Sequence, residues 1–235
     1  MQVTANPRVL VDVILPDFRQ ESLIRRIAID AAIILGFALL VALCAQIAIR
    51  IPTTTVPITG QTFGVLLTGG VLGSKRGGLS MLVYFLIGSF GLPVFAPGKS
   101  PIVEDQVIHF ILPWSGSDGL VWDMTTGGYI IGFIFASYLV GLLAERGWDR
   151  RSTVPFAMLL GNVVIYIFGL PWLAIKIATN DGLYNYFQSQ GGSNVVDMAL
   201  RGGLYPFIGG DAVKLVLAAL ILPGSWVLID KLRRR

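Results

Sequence analysis

Asp211 and Lys214 stand three residues apart in Pro206–Ile229, a stretch with no other charged residue. In a helix that spacing puts both side chains on one face. A charged group at the centre of a membrane helix costs roughly 2.5–3.5 kcal/mol on insertion scales, so such a pair must face a cavity or a protein partner rather than lipid. Helix rise sets the two about 8–12 Å below the outer end of the stretch. A carboxylate accepts N–H groups, and an ammonium donates to carbonyl or carboxylate oxygens. The pair therefore suits the polar head of a small ligand. It can equally be a salt bridge that locks two helices, or part of a proton path. A proton path would need further buried acids, and Asp30 and Asp230 sit at inner helix ends.

Two further motifs offer polar groups at similar depth. VPITGQT (56–62) begins an apolar stretch, and its Gln61 brings both a donor and an acceptor. Thr59 there also fits a simple helix N-cap. TTGGY (125–129) opens another stretch. Gly127 and Gly128 let a ligand or a neighbouring helix approach closely. Tyr129 can stack on a ligand ring or sit in the interfacial aromatic belt. Ala38 and Ala42, with Gly36 and Ala45 nearby, form a small-residue face suited to close helix contact within or between chains. Ala28 and Ala32 form a second such face nearer the inner side. His109 and Cys44 are single residues of their type, which leaves no Cys/His metal cluster or internal disulfide. GxxxxGK[ST] is absent, so no phosphate loop is present.

These residues need a membrane scaffold to hold them. Of 235 residues, 54% are hydrophobic and 14% charged, against about 25% charged in an ordinary soluble domain. A soluble enzyme, a disulfide scaffold and a disordered chain are all poor fits, and no basic run suits a nucleic acid. A spanning helix needs about 20 apolar residues. Candidates are Ile27–Ile51, residues 61–73, Gly77–Phe95, Thr125–Ala144, Val154–Ile175 and Pro206–Ile229. The second is short, and suffices only if Val56-Pro57-Ile58 continues the crossing in non-helical form or the segment is partly re-entrant. The expectation is an all-α membrane protein, a single six-helix domain over residues 1–235. Residues 1–26 form a cytoplasmic amino-terminal segment without a signal peptide, and 231–235 a basic tail.

Six crossings put both termini on one side. With the termini inside, thirteen basic residues fall on inner segments and four (Arg50, Lys99, Lys176, Arg201) on outer ones, with Lys214 within a span. That asymmetry fixes cytoplasmic termini by the positive-inside rule. It also leaves two long outer loops, 96–124 and 176–205, the second able to hold a short interfacial helix in LYNYFQS or VVDMALRGG.

Two other function classes fit less well. A polytopic membrane enzyme acting on a lipid or isoprenoid would need clustered carboxylates for Mg²⁺ or a nucleophile–base set at the membrane surface. The inner loops offer only Glu145 and Asp149, beside Arg146, Arg150 and Arg151. The charged pair inside a span argues against a structural subunit without ligand.

The ordered series VPITGQT, LLTGGVLGSKRGGLSMLVYFLIGSFGLPVFA, TTGGYIIGFIFASYLVGLLAER, NVVIYIFGLPWL and GGDAVK resembles the BioY family. The likeness runs from about Gly36 to Lys231. These are the biotin-binding S-components of energy-coupling factor (ECF) vitamin transporters. The resemblance implies a six-helix membrane protein without enzymatic activity or cofactor, which binds biotin in a pocket near the outer face. It implies assembly with a transmembrane coupling protein and two cytoplasmic ATPases, although some members are reported to act without them. It implies that Asp211 and Lys214, matching the family's GDxxK motif, contact biotin. Gln61, Gly127 and Tyr129 join them as ligand-binding candidates, and Ala38 and Ala42 match the register of the AxxxA motif that meets the coupling protein. The chain departs from the family in two places. Asp123-Met124-Thr125 stands where Gly-Pro is common, and Lys99–Trp114 reads as an insertion, with Lys99 a weak match for a basic loop residue.

Overall fold

The computed structural model describes residues 9–14, 22–98, 102, 105–116, 120–150 and 152–233. Lys99, Arg151 and most of the amino-terminal segment lie outside the described residues. Every apolar stretch singled out above carries a helix: α2 (Leu23–Ala45), α3 (Gln61–Leu72), α4 (Ser74–Ser89), α5 (Gly127–Glu145), α6 (Val154–Ala178) and α9 (Ile208–Arg233). Short helices complete the set: α1 (Leu10–Ile14) near the start, then α7 (Asp181–Ser189) and α8 (Val195–Gly203) in the long loop before α9. The VVDMALRGG run is α8, and LYNYFQS lies in α7, each with an Asn side chain accepting the orphan N–H of its first turn (Asn180 from Leu183, Asn194 from Asp197).

Among the described residues, four segments are long and apolar enough to cross a membrane: α2, α5, α6 and Val195–Ile229, which takes in most of α9. The helix α3 is shorter. Its 12 residues rise only about 18 Å, against a hydrocarbon core of about 30 Å. The chain enters it through a non-helical stretch, as the two prolines Pro52 and Pro57 require.

That stretch corrects the all-α expectation. The first apolar helix ends at Ala45, not near Ile51, and the chain continues as strand β1 (Ile47–Arg50). It pairs antiparallel with β2 (Ile58–Thr59) and with β3 (Val107–Phe110), giving the sheet order β2-β1-β3. Alternating β-branched residues, Ile47 and Ile49, favour the extended form once the helix has stopped. Mean apolarity cannot separate a helix from the strand that continues it.

Burial ranks the helices. In α5, 67% of the most apolar window is covered by the rest of the chain, against 17% in α2, so α5 is central and α2 peripheral. Glycines make the central contacts possible. A Cβ on Gly141 of α5 would lie 2.2 Å from the carbonyl carbon of Gly73, in the turn joining α3 to α4. Gly73 itself has φ +82°, a conformation that glycine adopts without penalty. Glu145 then closes this end, accepting from the Ser74 backbone N–H at 2.7 Å and its hydroxyl at 2.8 Å.

The same end carries α1. Val9 and Val11 pack on Leu72 and Ala144. Arg76 of α4 ties Asp12 of α1 at 2.6 Å to Asp30 of α2 at 2.8 Å. Asp149, between α5 and α6, accepts from the Trp226 indole of α9 at 2.7 Å, and the Arg150 guanidinium lies over the Trp226 ring. Burial pushes the Asp149 carboxyl above its ordinary range, with the Trp226 bond and Arg150 opposing. Glu145 and Asp149 thus join helices to each other. Neither stands open to a substrate.

Candidate functional site

At the other end, α3, α5, α6 and α9 diverge around a cavity of about 470 Å³ including its mouth. Gln61, Tyr129, Asp211 and Lys214 all line it. Ile130, Phe133, Ile165 and Phe207 supply apolar walls.

The polar groups form a connected set. Asp211, in the first turn of α9, is almost fully buried. Its Oδ1 accepts from Lys214 Nζ at 3.2 Å, and Oδ2 accepts from Asn162 Nδ2 at 2.9 Å and from the Tyr166 hydroxyl. An ionised carboxylate has about four acceptor positions, so these three donors leave room for one more. Lys214 also donates to Thr62 Oγ1 at 2.8 Å. A buried ion pair is tolerated when further hydrogen bonds satisfy its remaining valences, and Asn162, Tyr166 and Thr62 provide them.

Gln61 opens α3 and is held from both sides. Its Oε1 accepts from Thr59 Oγ1 at 2.9 Å, and its Nε2 donates to Tyr84 OH at 2.6 Å. Tyr84 in turn donates to the Val94 carbonyl at 3.0 Å. The amide keeps one N–H and one lone pair for a ligand. Tyr129 donates to the Gly203 carbonyl at the end of α8 at 3.0 Å and meets Tyr166 edge to face, ring centres 6.2 Å apart. It lies over the cavity and is not a belt residue facing lipid. Phe207, in the 3-10 turn 205–207 that follows α8, brings that loop onto the cavity wall.

The remaining sequence candidates fall elsewhere. Gly127 is not on the cavity wall. A Cβ there would meet the Val121 carbonyl at 2.4 Å and the Trp172 ring at 2.8 Å, so its smallness admits the preceding loop and α6. Its neighbour Thr126 lines the cavity instead. Ala38 and Ala42 are 1% and 0% exposed. They lie in the core face of α2, with Val41 and Ala45. The chain's own helices cover them. Ala28, Ala32 and Gly36, four apart, lie instead on an open face of α2.

Sequence reasoning passed over Asn162, Tyr166 and Thr62. The signal was present: Asn162 and Tyr166 lie four apart within NVVIY, and so share a face of an otherwise apolar helix. Among the described residues, Asn162 Oδ1 is buried without a hydrogen-bond partner.

The sequence profile of the BioY family matches residues 18–104 and 111–231. The chain belongs to the BioY family. A probable biotin transporter BioY of Pyrococcus horikoshii is 34% identical over 192 residues, covering 82% of this chain and 93% of the relative. The biotin transporter BioY of Thermotoga maritima is 36% identical over 173 residues, covering 74% and 82%. Among solved structures, the S-component for biotin from an ECF-type ABC transporter superposes with a TM-score of 0.60 at 20% identity, over 90% of this chain and 94% of that one. That likeness carries the fold. It gives this chain the architecture of an S-component. Residues 105–110, which contain β3, fall between the two matched segments.

Proposed function

We propose that this BioY chain binds biotin in the cavity between α3, α5, α6 and α9, and takes it up across the cytoplasmic membrane as the substrate-specific subunit of an ECF-type ABC transporter. The observation that carries the reading is the Asp211–Lys214 pair, set among polar and apolar side chains in one cavity with one carboxylate acceptor position open. Biotin matches it chemically. Its ureido ring offers two N–H donors and a carbonyl, its thioether ring is apolar, and its tail is acidic. Asp211 takes a ureido N–H, the free Gln61 N–H serves the carbonyl, and Lys214 gives its charge to a carbonyl or carboxylate oxygen. The apolar walls supply most of the affinity, and the polar groups set orientation. The names of the relatives support the same ligand. The rival reading, a membrane enzyme for lipids or isoprenoids, loses its candidate acids to the helix contacts of Glu145 and Asp149. Titrating the detergent-purified chain with biotin tests the proposal. Saturable binding of one biotin per chain is expected, with Kd below about 1 μM, equivalent to about −8 kcal/mol. Absence of saturable binding to folded protein would refute it.

The topology that goes with this function has six crossings, both termini cytoplasmic, and the cavity opening outward. The basic asymmetry of thirteen inner against four outer residues supports it. Cysteine substitutions check it in a Cys44→Ala background. In intact cells, Ser193→Cys in the α7–α8 turn should react with an impermeant thiol reagent, and Arg146→Cys after α5 only once the membrane is opened. Reaction of both from outside would overturn the six-crossing arrangement.

The partners follow from the same assignment: a transmembrane coupling protein and two cytoplasmic ATPases. With Ala38 and Ala42 covered, the contact with the coupling protein is assigned to the open face of α2 at Ala28 and Ala32. Small side chains there permit close helix approach within the bilayer.

A further inference from the structure

The third strand gives the outer end of the protein a face that the proposed binding function does not use. Strand β3 pairs with β1 in the register Ile47↔Phe110, Ala48↔His109, Ile49↔Ile108 and Arg50↔Val107. Residues directly opposite in an antiparallel pair share a face, as do residues two apart along a strand. One face therefore holds Ile47, Ile49, Ile108 and Phe110, with no charge among them. Ile108 is 68% exposed and Phe110 66% exposed, and Leu112 just beyond is 75% exposed.

The opposite face is tied to the protein. Ala48 is fully buried there, and His109 Nε2 lies 3.3 Å from the oxygen of the buried Gln46 side chain. That oxygen also accepts from the Ser115 backbone at 3.1 Å, and the Gln46 carbonyl accepts from Ile111 at 3.3 Å. The insertion is held in place by its inner side, with its apolar side turned outward.

What covers that side follows from continuity. Leu35, Leu39, Leu43 and Ile47 recur every four residues and are all exposed, so the lipid-facing stripe of α2 runs on into the sheet face. From Arg26 to Ala45 the helix rises about 28 Å, close to the thickness of the hydrocarbon core. The sheet therefore begins where the acyl chains meet the headgroups. We infer that the β1–β3 face, with Leu112, is seated in the outer leaflet at the headgroup–acyl boundary, so that residues 105–112, within the Lys99–Trp114 insertion, form a lipid-binding anchor rather than a water-exposed loop. Its occupant is phospholipid. A boundary-seated apolar surface of this kind reaches about 5–10 Å into the leaflet.

The test reads lipid contact directly and is independent of biotin. In the Cys44→Ala background, Ile108→Cys is labelled with an environment-sensitive fluorophore, and the protein is placed in nanodiscs of zwitterionic phospholipid. Gln190→Cys, exposed beside the α7–α8 turn, is the control. The expected result is quenching at position 108 by lipids with a nitroxide at a shallow acyl position, together with iodide quenching at least about threefold weaker than at position 190, as an interfacial depth requires. Iodide quenching at 108 equal to the control, with no quenching by nitroxide lipid, would overturn the inference. So would protection from iodide without lipid quenching and with cross-linking between Ile108→Cys chains, which would assign the face to a second copy of this chain.

Discussion

Asp211→Asn is expected to weaken biotin binding at least tenfold, about 1.4 kcal/mol, in protein that still folds. The substitution keeps the shape and removes the charge. Asp211 accepts from Lys214, Asn162 and Tyr166 at once, with one position left for ligand. In the Asn variant one of those acceptor oxygens becomes an NH₂ facing other donors. Lys214 also loses its buried counter-charge and keeps Thr62 as its nearest partner. Breaking a buried pair can cost about 3–5 kcal/mol, so the loss divides between affinity and stability. Calorimetry and thermal unfolding on the same preparation separate the two. Unchanged biotin affinity in the folded variant would make the pair a helix lock and leave the binding site open.

The second large effect distinguishes the two small-residue faces of α2. Ala38→Trp with Ala42→Trp is expected to prevent folding, because both positions are enclosed by the chain's own helices. Overpacking costs typically about 1–3 kcal/mol for added methylenes, and two indoles exceed that. Ala28→Trp with Ala32→Trp should leave the monomer folded and biotin-binding, since both positions are open. Co-purification with the coupling protein should then fall by about tenfold or more, as blocked close approach implies. The measurement is pull-down yield beside biotin titration, in a strain where that assembly forms with the unaltered chain. Normal co-purification of the Ala28→Trp, Ala32→Trp protein would move the contact off this face.

Much of this was legible in the residues. Charge inside an apolar run drew attention to Asp211 and Lys214, because lipid penalises any ionised group and such groups therefore face a partner or a cavity. Gln61 and Tyr129 followed from polar groups at the starts of apolar stretches, and all four line one cavity. Gly127 did not, because a glycine's freedom to admit a neighbour does not say whether that neighbour is a ligand or Trp172. Ala38 and Ala42 lie in the core face of α2, which the sequence does not show for a related reason: spacing places residues on one face but does not say which way the face turns. Asn162 and Tyr166 were legible only as polar interruptions, and their role depends on α6 lying against α9. The strands escaped notice because Ile47-Ala48-Ile49 continues the apolarity of α2, and the partner strand β3 lies about sixty residues away.

The most direct test compares biotin with an analogue methylated on the ureido nitrogen that faces Asp211, on both the unaltered chain and Asp211→Asn. Methylation removes an N–H and adds bulk, and the double comparison isolates the hydrogen bond from the bulk. If Asp211 accepts that N–H, methylation should weaken binding at least tenfold in the unaltered chain, about 1.4 kcal/mol, and markedly less in the Asn variant. An equal penalty in both proteins would mean that methylation acts through bulk alone, and would contradict the assignment of Asp211 as the acceptor of the ureido ring.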